Sequence, residues 1–212
     1  VPHSVITVSL ATAMATLLST YAAAHQGEQL ASSMSGTTRL AAALVIPVYA
    51  LVVVLAGPIS HVVYGFQKDS DAWRNFVPTM ALFPFALMCF TFHYLMLRGF
   101  YAIERNQLVF WVQCLIAATN ITLAIVLTRN IDPRDTAPHL VIAYGGSYLV
   151  GALVSGWFLR RQIPGFAIGW GFSARLVLGV LVSGAVAWST LQGLQHLWGE
   201  NSIPLALTTG VV

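Results

Sequence analysis

The chain has 212 residues, of which 57% are hydrophobic and only 8% are charged, with a formal net charge of +3 and a mean hydropathy of +0.75. Because soluble proteins carry about 25% charged residues, this composition excludes an ordinary soluble domain. The two cysteines, Cys89 and Cys114, lie inside apolar runs and do not indicate a disulfide framework. No basic patch with interleaved aromatic residues is present, so a nucleic-acid partner is not expected.

The charged residues fall in clusters that are separated by long uncharged runs. A helix needs about 20 apolar residues to cross a hydrocarbon core of roughly 30 Å. We therefore predict an all-α, polytopic transmembrane helix bundle over residues 1–212, with residues 19–36 in water or at the interface. The expected helices are six complete ones and part of a seventh: 2–24, 40–64, 76–97, 107–128, 140–159, 174–197 and the truncated segment 204–212. Because both ends of the chain fall inside apolar runs, we expect a piece of a larger protein.

The stretch from Phe90 to Asn106 predicts a helical hairpin, since an apolar run ends there in Arg98, Glu104 and Arg105 and another begins at once. Alternate loops hold six basic residues on the side of this turn and four on the other side. The excess of positive charge places the turn in the cytoplasm. It also places Val1 on the outer side.

Prolines and small residues indicate where helices bend and where they pack. Proline inside a spanning helix frees a carbonyl and kinks the axis. The kink or hinge candidates are Pro47, Gly57, Pro58 and Pro84. Two stripes with four-residue spacing let a neighbouring helix approach closely: Ser147, Gly151 and Ser155, and then Gly179, Ser183 and Ala187.

Residue patterns that would carry enzyme chemistry are missing from the sequence. There is no Walker loop, HExxH, CxxC or GxSxG motif, and no pair of carboxylates within an apolar run. We therefore expect a protein that is not an enzyme and that uses no cofactor. The histidines lack metal-ligand spacing, so no metal site is expected, and His93 is interpreted as a hydrogen-bonded residue near the interface.

Asn120 is the most informative polar residue, because it lies near the middle of a predicted membrane helix. An unpaired amide is costly there, so it should face other helices. Gln113, almost two turns earlier, lies on the same face. This face either lines a transport path, for which Arg98 is a further candidate, or forms interhelical hydrogen bonds. An acid one turn after Asn120 would favour a cation site, but that position is Ala124.

Three segments, taken in order, resemble the MurJ-type lipid II flippases of bacterial cell-wall synthesis. The stretch PHSVITVSLATAMATLLS at 2–19 is similar to a family helix that opens on Pro-Gly-Val. Pro47 followed by LAGPI at 55–59 resembles the next helix, and RGFYA at 98–102 resembles the family's Arg-Ala-Phe-Tyr-Ala turn. Departures are Ser4 for Gly, Thr16 for Pro, and the loss of an acid-Thr-x-Thr-Pro run after residue 102.

The resemblance implies the second lobe of an exporter of the multidrug/oligosaccharidyl-lipid/polysaccharide superfamily, here its eighth to thirteenth helices plus part of the last. Such a protein sits in the bacterial inner membrane and moves lipid II to the outer leaflet by alternating access. The expected partners are lipid II, membrane lipids and cell-wall synthesis proteins. The family's lipid-tail groove would fall on the last two helices, 174–197 and the truncated segment from 204, and Gly179, Ser183 and Ala187 could form its apolar furrow. Two alternatives stay open: export of another lipid-linked oligosaccharide or a drug, and a transport-inactive scaffold for cell-wall enzymes.

Overall fold

The protein is described here by a computed structural model that covers residues 8–64 and 72–198. Six residues of the first expected helix, 2–7, lie outside this part of the chain. The truncated helix expected at 204–212 also lies outside the described residues.

The described chain forms seven α-helices, two short 3-10 helices and no strand. The 3-10 helices, Ala72–Phe76 and Pro133–Asp135, precede α4 and α6. Five of the helical segments are long and apolar enough to cross a membrane, so the fold is an all-α transmembrane helix bundle, as predicted. The helices are α1 Ser9–Ala23, α2 Gly27–Val54, α3 Ala56–Tyr64, α4 Val77–Ala102, α5 Asn106–Thr128, α6 Thr136–Gln162 and α7 Trp170–Trp198.

Helix α4 lies at the centre of the bundle, where it packs against α6, α2 and α1, while α5 packs on α6. Most of its C-terminal half is buried, and Leu95 and Phe100 are fully enclosed in a core that also contains side chains of α1, α2 and α6. Because lipid is as apolar as these side chains, van der Waals packing rather than removal from water holds the helices together. The large core residues are Met14, Leu18, Met34, Leu95, Phe100 and Leu159.

Two tight turns close one end of the bundle. At the first, His25 has φ +54°, and the Gln26 N–H donates to the Tyr21 carbonyl. At the second, Glu104 has φ +58°, and the Arg105 N–H donates to the Phe100 carbonyl. This six-to-one hydrogen bond after a left-handed residue is a Schellman cap, which ends a helix and reverses the chain in a few residues. A cavity of about 690 Å³ lies between the two turns.

Helix α2 begins at Gly27, whereas the apolar run predicted a start at residue 40. The polar segment is helical because one of its faces is buried against the bundle: Leu30, Ala31, Met34 and Thr38 are at most 6% exposed. These positions repeat at the helical spacing of three and four residues. Tertiary packing therefore extends the helix beyond the apolar run that spans the membrane.

The four predicted kink positions behave differently. The chain breaks at Leu55, between α2 and α3, three residues before Pro58. Pro58 has no N–H for the Val54 carbonyl, and it lies in the first turn of α3, where a missing N–H is tolerated. Gly57 lies in that same turn. Helices α2 and α4 continue through Pro47 and Pro84 without a break in secondary structure.

The stripe of small residues on α6 packs as predicted. Ser147, Gly151 and Ser155 are all buried. A Cβ on Gly151 would lie only 2.4 Å from Cδ1 of Ile116 on α5. Because Gly151 has no side chain, α5 can approach α6 this closely.

Candidate functional site

A polar junction joins α4, α5 and α6 inside the bundle. The Nδ1 atom of His93 lies 3.1 Å from the Ser155 Oγ atom, and its Nε2 atom lies 3.3 Å from the Gln113 Oε1 atom. Because an amide oxygen only accepts, Nε2 carries the proton and donates to Gln113, and the Ser155 hydroxyl donates to Nδ1. A neutral imidazole therefore satisfies both partners, and one side chain ties three helices together.

The small residues of α6 create the room for this junction. Gly151 lies one turn before Ser155, and a Cβ on it would be 3.5 Å from the His93 Nδ1 atom. His93 is only 1% exposed and Ser155 is fully buried. The sequence predicted His93 to be a hydrogen-bonded residue near the interface, and its hydrogen bonds are confirmed. The ring lies between helices, and α4 continues for nine residues beyond it. The four-residue spacing of the α6 stripe was the signal that a helix passes close by.

Gln113 and Asn120 share the edge of α5 that borders its packed face, but they have different environments. Gln113 is exposed apart from its contact with His93, and Asn120 is half-buried. The Asn120 amide makes no hydrogen bond within the described part of the chain. Of the two alternatives for this face, the interhelical hydrogen bond is therefore seen for Gln113. A transport role for Gln113 or Asn120 stays a prediction.

Arg98 lies one turn from the C-terminal end of α4 and contacts Tyr94 in two ways. Its guanidinium carbon is 4.8 Å from the centre of the Tyr94 ring, and its Nη2 group donates to the Tyr94 hydroxyl. The Nε atom is buried and has no hydrogen-bond partner among the described residues. Since a buried donor without a partner is costly, this arginine has binding capacity that the bundle does not use.

Aromatic rings connect Arg98 to the His93 junction. Tyr94 stacks on Phe90 with ring centres 5.9 Å apart, and Phe90 meets Tyr148 of α6 edge-on at 5.0 Å. Tyr148 lies 5.8 Å from the His93 ring. Aromatic pairs at these separations are attractive beyond simple burial. No hydrogen bond joins Arg98, Gln113 and Asn120 directly, but this cluster places Arg98 and the Gln113–His93 pair at two ends of one continuous surface.

This arrangement can bind a polar or anionic group, but it is not built for nucleophilic catalysis. Ser155 and His93 are at hydrogen-bond distance, yet both are enclosed by helices, so no substrate can reach the hydroxyl in this conformation. A triad also needs a group that orients the histidine and donors for an oxyanion. Here the second ring nitrogen is held by an amide.

Helix α7 holds the candidate residues for a lipid-tail groove. Gly179 is exposed, and no other helix of the described chain comes within 4 Å of the position that its Cβ would occupy. The side chains of Ser183 and Ala187 lie outside the described part of the structure. The groove therefore stays a prediction.

Comparison with known proteins gives the family. The model of the family described as "Lipid II flippase MurJ" matches residues 1–209. The "Probable lipid II flippase MurJ" of Synechocystis sp. is 28% identical over 167 residues, which is 77% of this chain and 31% of that relative. The chain thus spans about a third of the curated relative that it matches, and no solved structure matches it. Because the family model covers almost the whole chain, the chain belongs to the lipid II flippase MurJ family.

Proposed function

We propose that the protein containing this chain moves the lipid-linked peptidoglycan precursor, lipid II, from the inner to the outer leaflet of the bacterial plasma membrane by alternating access. The observation that carries the proposal is the family match over residues 1–209. The five helices long enough to span a membrane support it. The chain would contribute one lobe of the transporter.

Arg98 is the residue of this lobe that we assign to the charged part of the substrate. Lipid II carries a pyrophosphate between its prenyl tail and its sugars, and a guanidinium binds phosphate oxygens with two parallel hydrogen bonds. The Tyr94 ring and hydroxyl already hold the Arg98 side chain in place. Its Nε atom has no hydrogen-bond partner among the described residues but is buried, so the alternating-access movement would have to expose it before it could join such a contact.

Gln113 and Asn120 suit the uncharged part of the substrate. The amide nitrogen of Gln113 stays free while its oxygen accepts from His93, and Asn120 offers a whole amide. Amides donate and accept, as sugar hydroxyls and peptide groups do. The His93 junction would fix the orientation of Gln113 and keep α4, α5 and α6 together as one rigid unit during the transition.

The test uses the full-length protein in liposomes that carry a fluorescent lipid II, with the outer leaflet quenched by an impermeant reductant. We expect movement of lipid II in the wild type and at least tenfold slower movement in Arg98→Gln, because a lost charge-assisted hydrogen bond is worth about 1.5 kcal/mol or more. Arg161→Gln is the matched control, since Arg161 stacks on the exposed Trp157 and lies outside the cluster.

The alternatives predict other results in the same liposomes. Transport of a different lipid-linked oligosaccharide, with lipid II left in place, would assign the protein to a related export function. If the protein moves no lipid-linked sugar in liposomes, and its host strain nevertheless requires it for growth, a scaffold for cell-wall enzymes would be favoured.

A further inference from the structure

The segment between α6 and α7 is fixed to α2 through its backbone. Arg39 donates from Nε to the Ile168 carbonyl at 2.7 Å and from Nη2 to the Ala167 carbonyl at 3.0 Å. One turn earlier on α2, the Ser35 hydroxyl oxygen accepts the Ala167 N–H at 3.1 Å. Two side chains of α2 therefore bind one backbone N–H and two backbone carbonyls of this linker. These hydrogen bonds do not depend on which side chains the linker carries.

The sequence of the linker is adapted to this arrangement. Ile163 and Phe166 are at most 5% exposed and anchor its first half in the core. Gly165 and Gly169 have φ values of +92° and +83°, a region that side chains disfavour. A Cβ on Gly169 would also lie 3.3 Å from Nη2 of Arg39. The guanidinium thus sits directly against the backbone where α7 begins.

Within the described part of the chain, α7 packs chiefly against α2. Most of its described large apolar side chains are exposed, among them Leu181 at 65% and Val186 at 62%. The helix has 29 residues and is therefore about 44 Å long. For a rod of this length, a small change of direction at its base becomes a large displacement at its far end.

We propose that Arg39 is a positioning residue that sets the direction in which α7 leaves the bundle. The planar guanidinium is suited to this task because its fork of donors can bind two successive carbonyls at once, which the single ammonium of lysine cannot do with the same geometry. Ser35 accepts from the N–H of Ala167, the residue whose carbonyl Arg39 binds. The functional part of this inference rests on the proposed function, because a lipid tail that binds along α7 requires α7 at a defined angle.

The experiment measures the angle directly, by distances between two spin labels in the full-length protein. Leu44→Cys on α2 and Trp188→Cys on α7 replace exposed residues, and the native Cys114, which is exposed, is changed to Ser. A swing of about 10° at the linker displaces residue 188, roughly 27 Å along the helix from Trp170, by about 5 Å. We expect a narrow distance distribution in the parent and one that is broadened or shifted by about this amount in Arg39→Ala.

Further variants separate positioning from general damage. Arg39→Lys should give an intermediate distribution, and Ser35→Ala a smaller broadening. Gly169→Ala, which pushes on the guanidinium from the linker side, should shift the distribution even though Arg39 is intact. Arg161→Ala removes an equal charge from the end of α6 that leads into the linker, and it should leave the distances unchanged.

Two outcomes would overturn the proposal: an Arg39→Ala distribution that equals the parent, or an equal broadening in Arg161→Ala. Lipid II transport, measured on the same variants, reports separately on function. If the parent moves no lipid II, the proposed function fails while the distance result still decides the role of Arg39. A broadened α7 with slower transport in Arg39→Ala, partly restored in Arg39→Lys, would support both.

Discussion

Replacing Gly151 by alanine should separate α5 from α6 at the polar junction. The added Cβ would lie 2.4 Å from the Ile116 Cδ1 atom and 2.6 Å from its Cγ1 atom. Carbon atoms pack at about 3.5–4.0 Å, so the two helices must move apart by about 1 Å or Ile116 must leave its preferred rotamer. Both Ile116 and Gly151 are buried, and neighbouring atoms therefore restrict either adjustment.

The expected cost has two parts. Overpacking of a buried site costs about 1–3 kcal/mol. Gln113 lies three residues before Ile116 on α5, and its hydrogen bond to His93 is already 3.3 Å long. A shift of about 1 Å would break that bond, and interhelical hydrogen bonds in membranes are worth about 0.6–2 kcal/mol. We expect the free energy of unfolding to fall by about 2–4 kcal/mol.

The assay is reversible unfolding in lipid bicelles, and the matched control is Gly156→Ala on the same helix. A Cβ there meets the Met96 Cε atom at an ordinary 3.4 Å, so stability should change by less than about 1 kcal/mol. Adding Ile116→Ala to Gly151→Ala removes the clashing atoms and should recover part of the loss, which gives a favourable coupling in a double-mutant cycle. Equal stability of the two glycine variants, or no coupling with Ile116→Ala, would refute this account of the α5–α6 contact.

Other parts of the structure make further predictions. His93→Leu should lower the free energy of unfolding by about 1–2 kcal/mol, because Gln113 and Ser155 lose their partner; bicelle unfolding measures this, and the triple variant His93→Leu, Gln113→Leu, Ser155→Ala should regain stability. Pro58→Ala returns an N–H for the Val54 carbonyl and should join α2 to α3, seen as slower amide exchange at residues 55–58. Pro47→Ala should leave exchange in the neighbouring turns nearly unchanged, since α2 is already continuous there.

The distribution of charge predicted the helices well where the apolar run and the packed segment of the chain cover the same residues. Residues 76–97 and 107–128 were expected as helices, and α4 and α5 occupy Val77–Ala102 and Asn106–Thr128. Hydropathy detects the part of a helix that is apolar enough for the hydrocarbon core, whereas the helix itself continues until its backbone is capped. For α4 the end is the left-handed residue Glu104, which lies beyond the charged Arg98. The same reasoning explains why α2 begins at Gly27, where a buried stripe of apolar residues, rather than hydropathy, carries the signal.

The site was harder to predict, because it depends on how three helices are rotated against one another. The sequence indicated that Gln113 lies on a polar face and that α6 has a stripe of small residues. It did not indicate that both meet His93, since two ring nitrogens can bond to many partners. The relative axial position of α4, α5 and α6 decides this pairing. It is set by close approaches such as that of Gly145 to Ala86, where a Cβ on the glycine would lie 3.2 Å from the Ala86 Cα atom.

The bundle holds its helices by two different kinds of contact, and this difference bears on how it could move. Helices α4, α5 and α6 are joined by side chains that fit one another, so a change at Gly151 or His93 disturbs all three. Among the described residues, helix α7 packs chiefly on α2, and Arg39 and Ser35 hold the linker before it through two carbonyls and one N–H. Backbone contacts do not depend on the side chains of α7, so these bonds fix the base of the helix whatever its outer surface contacts. If the protein carries lipid II as proposed, a fixed base would let the outer part of α7 adjust to the prenyl tail while α4, α5 and α6 stay together.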